Sequence, residues 1–404
     1  MVVFAAAARP AVLDIFGRVF FFDLGLSIYF LLFNLFLIAQ GYTEKSLGLL
    51  TSAIAFGSLA GAIPSGMFLK RAGLRRALIS CIAAGAIIFS ARAIFLSFPL
   101  ELLLAASAGL VLSLWAVCIP PIVAQTTNEQ QRPFGFSLVF SLGIGVGALG
   151  GLAGGRLPEW LSGLRALFPG FEPEQATLLL SCCIAAAAIW PARRLTFSPV
   201  EMPARSRPVL SPFLLRFLPA VGLWGLVTNS FSPFANVYFA AHLRFPLHKV
   251  GSVFAASQMA QVAAVLCAPL VFRRWGLVNG IVCTQLAACL CFVSLAAIGS
   301  PMKAAAAYVG LAAFQWMNEP GVYSLLMSKV PEEQRGGASA SNSLVMSASQ
   351  LIAASLAGWA FVRYGYPAVL SVIAAVALLA SIVFRQALTV REEELPLAVE
   401  DIAP

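Results

Sequence analysis

The stretch Gly66-Met-Phe-Leu-Lys70-Arg71-Ala-Gly73-Leu74 returns 203 positions later as Pro269-Leu-Val-Phe-Arg273-Arg274-Trp-Gly276-Leu277. The same offset carries Asn128-Glu129-Gln130-Gln131-Arg132 onto Pro331-Glu332-Glu333-Gln334-Arg335, Gly48 onto Gly251 and Gly155 onto Gly358. No gap is needed between about residue 41 and residue 155. The matches are short charged or glycine-bearing pieces set in and between long apolar runs. Self-similarity at a fixed distance marks a duplicated structural unit. In so apolar a chain it predicts a membrane protein built from two parallel halves.

Composition agrees. The chain has 404 residues, 60% of them hydrophobic and 11% charged, with a mean hydropathy of +0.89. Soluble domains carry about 25% charged residues, so a soluble globular class is excluded. The net charge of +9 does not point to nucleic acid, because the basic residues fall in the gaps between apolar runs and not on one aromatic-interleaved face. All eight cysteines lie inside apolar runs, and the two histidines, His242 and His248, share one loop. That distribution suits packing cysteines and predicts no metal site and no cofactor.

Runs of about 20 apolar residues read as spanning helices. They fall near 17–40, 46–69, 76–98, 102–125, 134–156, 175–192, 213–241, 249–272, 278–299, 303–328, 337–361 and 366–387. The expected fold is therefore an all-α membrane protein of twelve transmembrane helices in two six-helix halves, residues 1–192 and 213–388. A proline-rich cytoplasmic linker, 193–212, joins them, and an acidic disordered tail, 389–404, follows. With both termini cytoplasmic, eighteen Lys and Arg residues lie on the inner side and seven on the outer, with Arg92 inside a span. The excess of positive charge inside sets that orientation; a bacterial inner membrane is the expected location.

The pattern Gly66-x3-Lys70-Arg71-x-Gly73-x-Arg75-Arg76 resembles the signature loop of the major facilitator superfamily, which reads Gly-x3-Asp-Arg-x-Gly-Arg-Arg. Its second copy at 269–277 and the Glu-x-x-Arg pairs Glu129/Arg132 and Glu332/Arg335 are also similar to that family. Lys70 stands where the family has an acid, and Arg273 where the second copy would have one. Gly150-Gly151-Leu-Ala-Gly154-Gly155 is similar to the antiporter motif Gly-Pro-x-x-Gly-Gly, with Gly151 in the proline position. The resemblance implies a transporter fold. Read from the residues alone, Gly73 and Gly276 permit tight turns with positive φ, and Arg71, Arg75, Glu129, Arg132, Arg274, Glu332 and Arg335 form a cytoplasmic rim whose charge pairs can act as a gate.

Ionisable residues inside a span cost about 2.5–3.5 kcal/mol on insertion scales and call for a reason. Glu319 lies sixteen residues from Lys303 and ten from Lys329, about 24 Å and 15 Å along a helix and hence near mid-membrane. Gln315 and Glu319 share a face with Tyr323, Asn318 lies alongside, and Pro320-Gly321 predicts a bend. Asp23, Ser27 and Asn34 form an inward stripe on the first span, where Asp23 can also pair with Arg18. Arg92 is expected to extend to the outer membrane surface. Asn229, Asn236, Gln258 and Gln261 add polar positions, with a break in the seventh span at Pro233. The stripes describe a mixed polar and aromatic cavity in which Glu319, aided by Asp23, carries a proton or touches substrate.

These features predict a secondary transporter working by alternating access, its partners a small organic or amphiphilic solute, protons and the lipid bilayer. Proton-coupled efflux is the leading reading and uptake of a small metabolite the alternative; a monomer is expected. An intramembrane enzyme would need a nucleophile–base or metal constellation, and the spans contain no suitable histidine.

Overall fold

The computed structural model describes residues 10–126, 132–163, 172–194, 211–331 and 334–389, the side chains at 10–19, 124, 126, 132–142 and 389 excepted. In hydrocarbon every backbone amide must be bonded within its own segment, so the apolar runs become helices. In chain order they are α1 Pro10–Ala39, α2 Glu44–Ala72, α3 Leu74–Ile94, α4 Phe98–Thr126, α5 Arg132–Ser162 and α6 Pro173–Ala187, the last extended by Ile189–Arg193. The second half contributes α7 Pro212–Phe231, α8 Leu247–Trp275, α9 Leu277–Ala297, α10 Pro301–Lys329 and a final stretch Arg335–Thr389. Gly365, at φ 75° and ψ 167°, breaks that stretch, so residues 335–364 form α11 and 366–389 form α12. Among the described residues nine stretches are long and apolar enough to cross a membrane. The last of them holds both α11 and α12; α5 and α10 are not among the nine.

Local chemistry sets the ends. Pro173, Pro212 and Pro301 open their helices, where a missing N–H costs nothing. The Thr43 and Ser211 hydroxyls accept the backbone N–H of Ser46 and Leu214, satisfying donors that the first helical turn leaves free. Gly73 and Gly276 take φ of 79° and 76°, so the tight turns expected between α2 and α3 and between α8 and α9 are present. The break expected at Pro233 is also present. After Phe231 the chain passes through a 3₁₀ turn Ser232–Phe234, one α turn Ala235–Val237 and a π turn Tyr238–His242. α10 runs through Pro320 as one helix, because neighbouring helices in a membrane bundle absorb a lost backbone bond.

Within the first half α2 packs on α4, and α1 on α5 and α6; in the second, α10 packs on α8 and α9. Two seams join the halves, α2 against α11 and α5 against α8. The 203-residue offset maps one seam onto the other. At each, a glycine pair lets two backbones touch. A Cβ placed on Gly48 would lie 3.2 Å from the Gly358 Cα, and one on Gly251 would lie 3.0 Å from the Gly155 Cα. The four glycines matched by the repeat are thus the facing glycines of the two seams.

Outward faces carry Phe56, Ile87, Leu103, Leu266, Leu290 and Val372, each more than half exposed. An apolar surface of this extent is stable against lipid and not against water. The expected linker 193–212, apart from its ends, and the expected tail beyond Thr389 lie outside the described residues.

Candidate functional site

Glu319 lines a cavity of about 280 Å³ enclosed by α7, α10 and α11. Tyr323 of α10, Trp224 of α7, and Asn342, Ser343 and Met346 of α11 share its wall. The helical spacing of Glu319 and Tyr323 places both on one side of α10. Tyr323 lies close to the Glu319 carboxyl and against Asn342 and Ser343. Trp224 is 1% exposed and Asn342 3% exposed, yet the indole Nε1 and the amide Oδ1 have no hydrogen-bond partner. Both atoms are sealed off by packing and do not open onto the cavity, although buried polar atoms are normally satisfied. Every described lining residue belongs to the second half.

Asn318 turns the other way. Fully buried, its amide donates to the Thr284 hydroxyl at 2.9 Å and to the Ile281 carbonyl at 3.3 Å, fastening α10 to α9. Asn229 bonds the Gly225 carbonyl one turn back on its own helix at 2.8 Å. Gln315 and Gln261 are half-buried on α10 and α8. Gln258 faces α5, where a Cβ on Gly147 would collide with its amide. Asp23 is half-buried on α1, with its Oδ2 3.7 Å from where a Cβ on Gly143 would stand; the Arg18 side chain lies outside the described residues.

Asn34 and Asn236 meet at the contact of α1 with the broken end of α7. The Asn34 amide donates to the Pro233 carbonyl at 2.7 Å, and the Asn236 amide to the Leu31 carbonyl at 2.8 Å. Each asparagine thus binds the opposite half's backbone near the other asparagine. The break at Ser232–Phe234 matters here: a residue inside a regular helix has its carbonyl occupied, whereas Pro233 sits where the ladder is interrupted and accepts from outside.

Arg92 corrects an expectation. Its side chain does not reach out into an exposed position; it is 2% exposed and bonds Glu101, itself fully buried, with Nε and Nη2 each 2.7 Å from Oε1. The guanidinium also lies 4.5 Å from the centre of the Phe33 ring. A charge held by an opposite charge and an aromatic face has less reason to seek water. Sequence reading missed Glu101 because it began the fourth span at 102. Two helices joined by the short turn at Phe95–Ser97 bring position 92 opposite position 101, and that spacing was the available signal. The pair belongs to the first half and does not line the Glu319 cavity.

The seam contacts lie toward the end of the bundle marked by Gly41 and Gly365. They include Gly48 with Gly358, Ser52 with the Leu351 carbonyl at 2.6 Å, and Tyr366 with Glu44 at 3.4 Å. At the opposite end, marked by Gly73 and Gly276, Arg71, Arg75, Arg274 and Arg335 are exposed. Glu129 and Glu332, the acids expected at that rim, and the side chain of Arg132 lie outside the described residues.

The family model of the Major Facilitator Superfamily matches residues 15–347 and 217–402. Solved structures share the fold at low identity. A nucleoside transporter, NupG, aligns with TM-score 0.79 at 13% identity, covering 94% of this chain and 99% of its own. A D-xylose-proton symporter aligns with TM-score 0.71 at 14% identity, covering 92% and 95%. A bacterial homologue of the iron transporter ferroportin, in an inward-facing state, aligns with TM-score 0.70 at 15% identity, covering 93% and 98%. Among curated protein sequences none matches significantly.

Proposed function

The chain belongs to the major facilitator superfamily, and from that premise we propose that it exports a small amphiphilic solute in exchange for protons by alternating access. A multi-pass transporter of this family moves small molecules through the membrane, and the finer assignment rests on Glu319. Glu319 is half-buried in α10 and lines a cavity between α7, α10 and α11. A carboxyl near mid-membrane has few stable options other than a proton or a cationic partner, and alternating between them couples transport to protons.

The seams support rocking. Two symmetry-related glycine contacts bring the halves backbone to backbone, a contact on which one half can roll once the side-chain bonds between the halves release. The contacts toward the Gly41 end, beside the exposed arginines at the Gly73 end, agree with one phase of such a cycle. Placing the arginine end in the cytoplasm follows the positive-inside distribution. In that orientation the seam contacts lie on the outer side, and the rim of Arg71, Arg75, Glu129, Arg132, Arg274, Glu332 and Arg335 acts as the gate on the inner side. Asp23, on the inward stripe of α1, assists the proton's path from the first half.

The test is flux in proteoliposomes under an imposed pH gradient, with a panel of amphiphilic compounds and both gradient directions. Wild-type flux should follow the gradient, and Glu319→Gln should transport without that dependence or not at all. Identical pH dependence in wild type and Glu319→Gln would remove Glu319 from the coupling role. Accumulation with an inward proton gradient rather than extrusion would reverse the direction assigned.

A further inference from the structure

We propose that the Gly73 end of α3 and α6 binds the headgroup phosphate of an anionic phospholipid, held by Arg75, Arg76, Arg193 and Arg194. The site lies on the surface of the first half, apart from the Glu319 cavity, and stands whichever solute the protein moves. Packing brings the four arginines together. α3 begins at Leu74, so Arg75 and Arg76 occupy its first turn. The Ile189–Arg193 extension of α6 packs against α3, and Ala77, Ala188 and Ala192 are all fully buried in one apolar core. Arg193 and Arg194 therefore end α6 beside the start of α3, and all four arginines are exposed. Among the described residues none of them pairs with an acid.

Two exposed tracks lead to this spot. On α6 the exposed residues Leu180, Cys183, Ala187, Trp190 and Arg194 recur every three or four positions, which places them on one face of the helix. On α3 the exposed residues Arg76, Ser80, Ile87 and Ile94 recur at four and seven positions, again one face. Each track is largely apolar along the span and ends in an arginine. Trp190 is 65% exposed, and the Arg194 guanidinium lies 4.1 Å from the centre of its ring. Tryptophan on a spanning helix favours the headgroup level. The arginines thus stand at the depth of lipid phosphates, and the tracks at the depth of acyl chains.

Charge selects the headgroup. Guanidinium forks take phosphate oxygens two at a time, and basic clusters at the membrane edge favour anionic lipids. A zwitterionic headgroup brings its own ammonium into the patch, where four guanidinium groups repel it. Orientation in the membrane does not require this arrangement, since bases anywhere in the inner loops serve it. The repeat carries Arg71 onto Arg274 but Arg75 and Arg76 onto Val278 and Asn279. In the second half Trp275 is also exposed beside a basic pair, Arg273 and Arg274, yet the helix that follows opens without a base. That half supplies an internal comparison.

Tryptophan quenching of the full-length protein in reconstituted vesicles tests this. Phosphatidylcholine vesicles carry a small, equal fraction of brominated phosphatidylglycerol or brominated phosphatidylcholine. The Trp190 and Trp275 contributions follow by difference from Trp190→Phe and Trp275→Phe. Half-quenching of Trp190 should need roughly tenfold less of the brominated anionic lipid than of the zwitterionic one, and at Trp275 the ratio should stay within about threefold. Arg75→Gln/Arg76→Gln and Arg193→Gln/Arg194→Gln, each with and without Trp190→Phe, should each lower the Trp190 ratio, and all four together should abolish the preference. Inorganic phosphate should not relieve the quenching, because the bound headgroup is anchored by its chains. Relief by inorganic phosphate would show a free-anion site and overturn the lipid assignment. Equal preference at Trp190 and Trp275 would show only a general attraction of acidic lipid to a basic protein and overturn the proposal. Absence of preference at Trp190, or a preference that survives the four substitutions, would do the same. The Trp→Phe variants keep ring bulk, so their comparison decides the matter even where the arginine variants fail to insert.

Discussion

The Arg92 guanidinium and the Glu101 carboxylate meet at 2.7 Å where both side chains are withdrawn from solvent. Removing one partner of such a pair leaves a buried charge uncompensated and costs about 3–5 kcal/mol. Glu101→Ala should therefore lower the thermal unfolding temperature in detergent sharply. The double variant Arg92→Leu/Glu101→Leu should recover most of the loss, because it removes the desolvated charges together. A double variant as unstable as the single one would show that the pair does more than neutralise itself.

The glycine seams yield the second prediction. A side chain at Gly48 would collide with the Ala354 carbonyl, and one at Gly251 with the Gly151 carbonyl. Overpacking of this kind costs about 1–3 kcal/mol, equivalent to roughly 5–150-fold in a population ratio. Gly48→Val and Gly251→Val should insert and fold yet lose transport, with the Gly41 end opened to membrane-impermeant thiol reagents at a nearby engineered cysteine. Unchanged reagent access in both variants would show that these seams do not set the closure.

Asn34 and Asn236 give a third, smaller effect. Hydrogen bonds between membrane helices average about 0.6 kcal/mol and reach about 1.7 kcal/mol. Asn34→Ala and Asn236→Ala should each shift the same accessibility assay in the same direction as the glycine variants, by a few-fold. The pair together should exceed either alone. An effect on substrate affinity with no change in accessibility would assign these amides to the ligand instead.

Neighbouring positions on α10 should separate cleanly. Asn318→Ala breaks the bonds to Thr284 and Ile281 and should lower the unfolding temperature while leaving the pH dependence of flux intact. Glu319→Gln should do the reverse. Equal stability loss in both would contradict the division of labour between the two faces of the helix.

Much of this architecture was legible because membranes restrict the choices. The apolar runs gave the helices, the repeat gave the two halves, and Gly73 and Gly276 announced turns that only a positive φ completes. The site was less legible. Asn34, Asn236 and Asn318 are inward polar residues, but a sequence does not distinguish an amide that meets substrate from one that meets a backbone carbonyl. Glu101 escaped notice for a different reason: an acid in the first turn of a helix is favoured by the helix dipole and so resembles an ordinary solvated start. Its partner across the turn changed its meaning. The wall that Trp224 and Asn342 share with Glu319 depends on how α7 and α11 approach α10.

The confinement of the Glu319 cavity to residues 221–347 has a mechanical consequence. A cargo that touches one rigid body rides as a passenger, since its own contacts are the same whichever way the other body leans. A ligand shifts a two-state balance only by binding the two states differently, and a passenger exerts little torque of that sort. In an alternating-access cycle what would change as the bodies lean is the dielectric around a single charge, with the cavity mouth wet in one posture and shut in the other. On the proposed mechanism, the work of turning the carrier would fall to the electrical state of the Glu319 carboxyl, empty, protonated or paired, and not to the shape of what it carries.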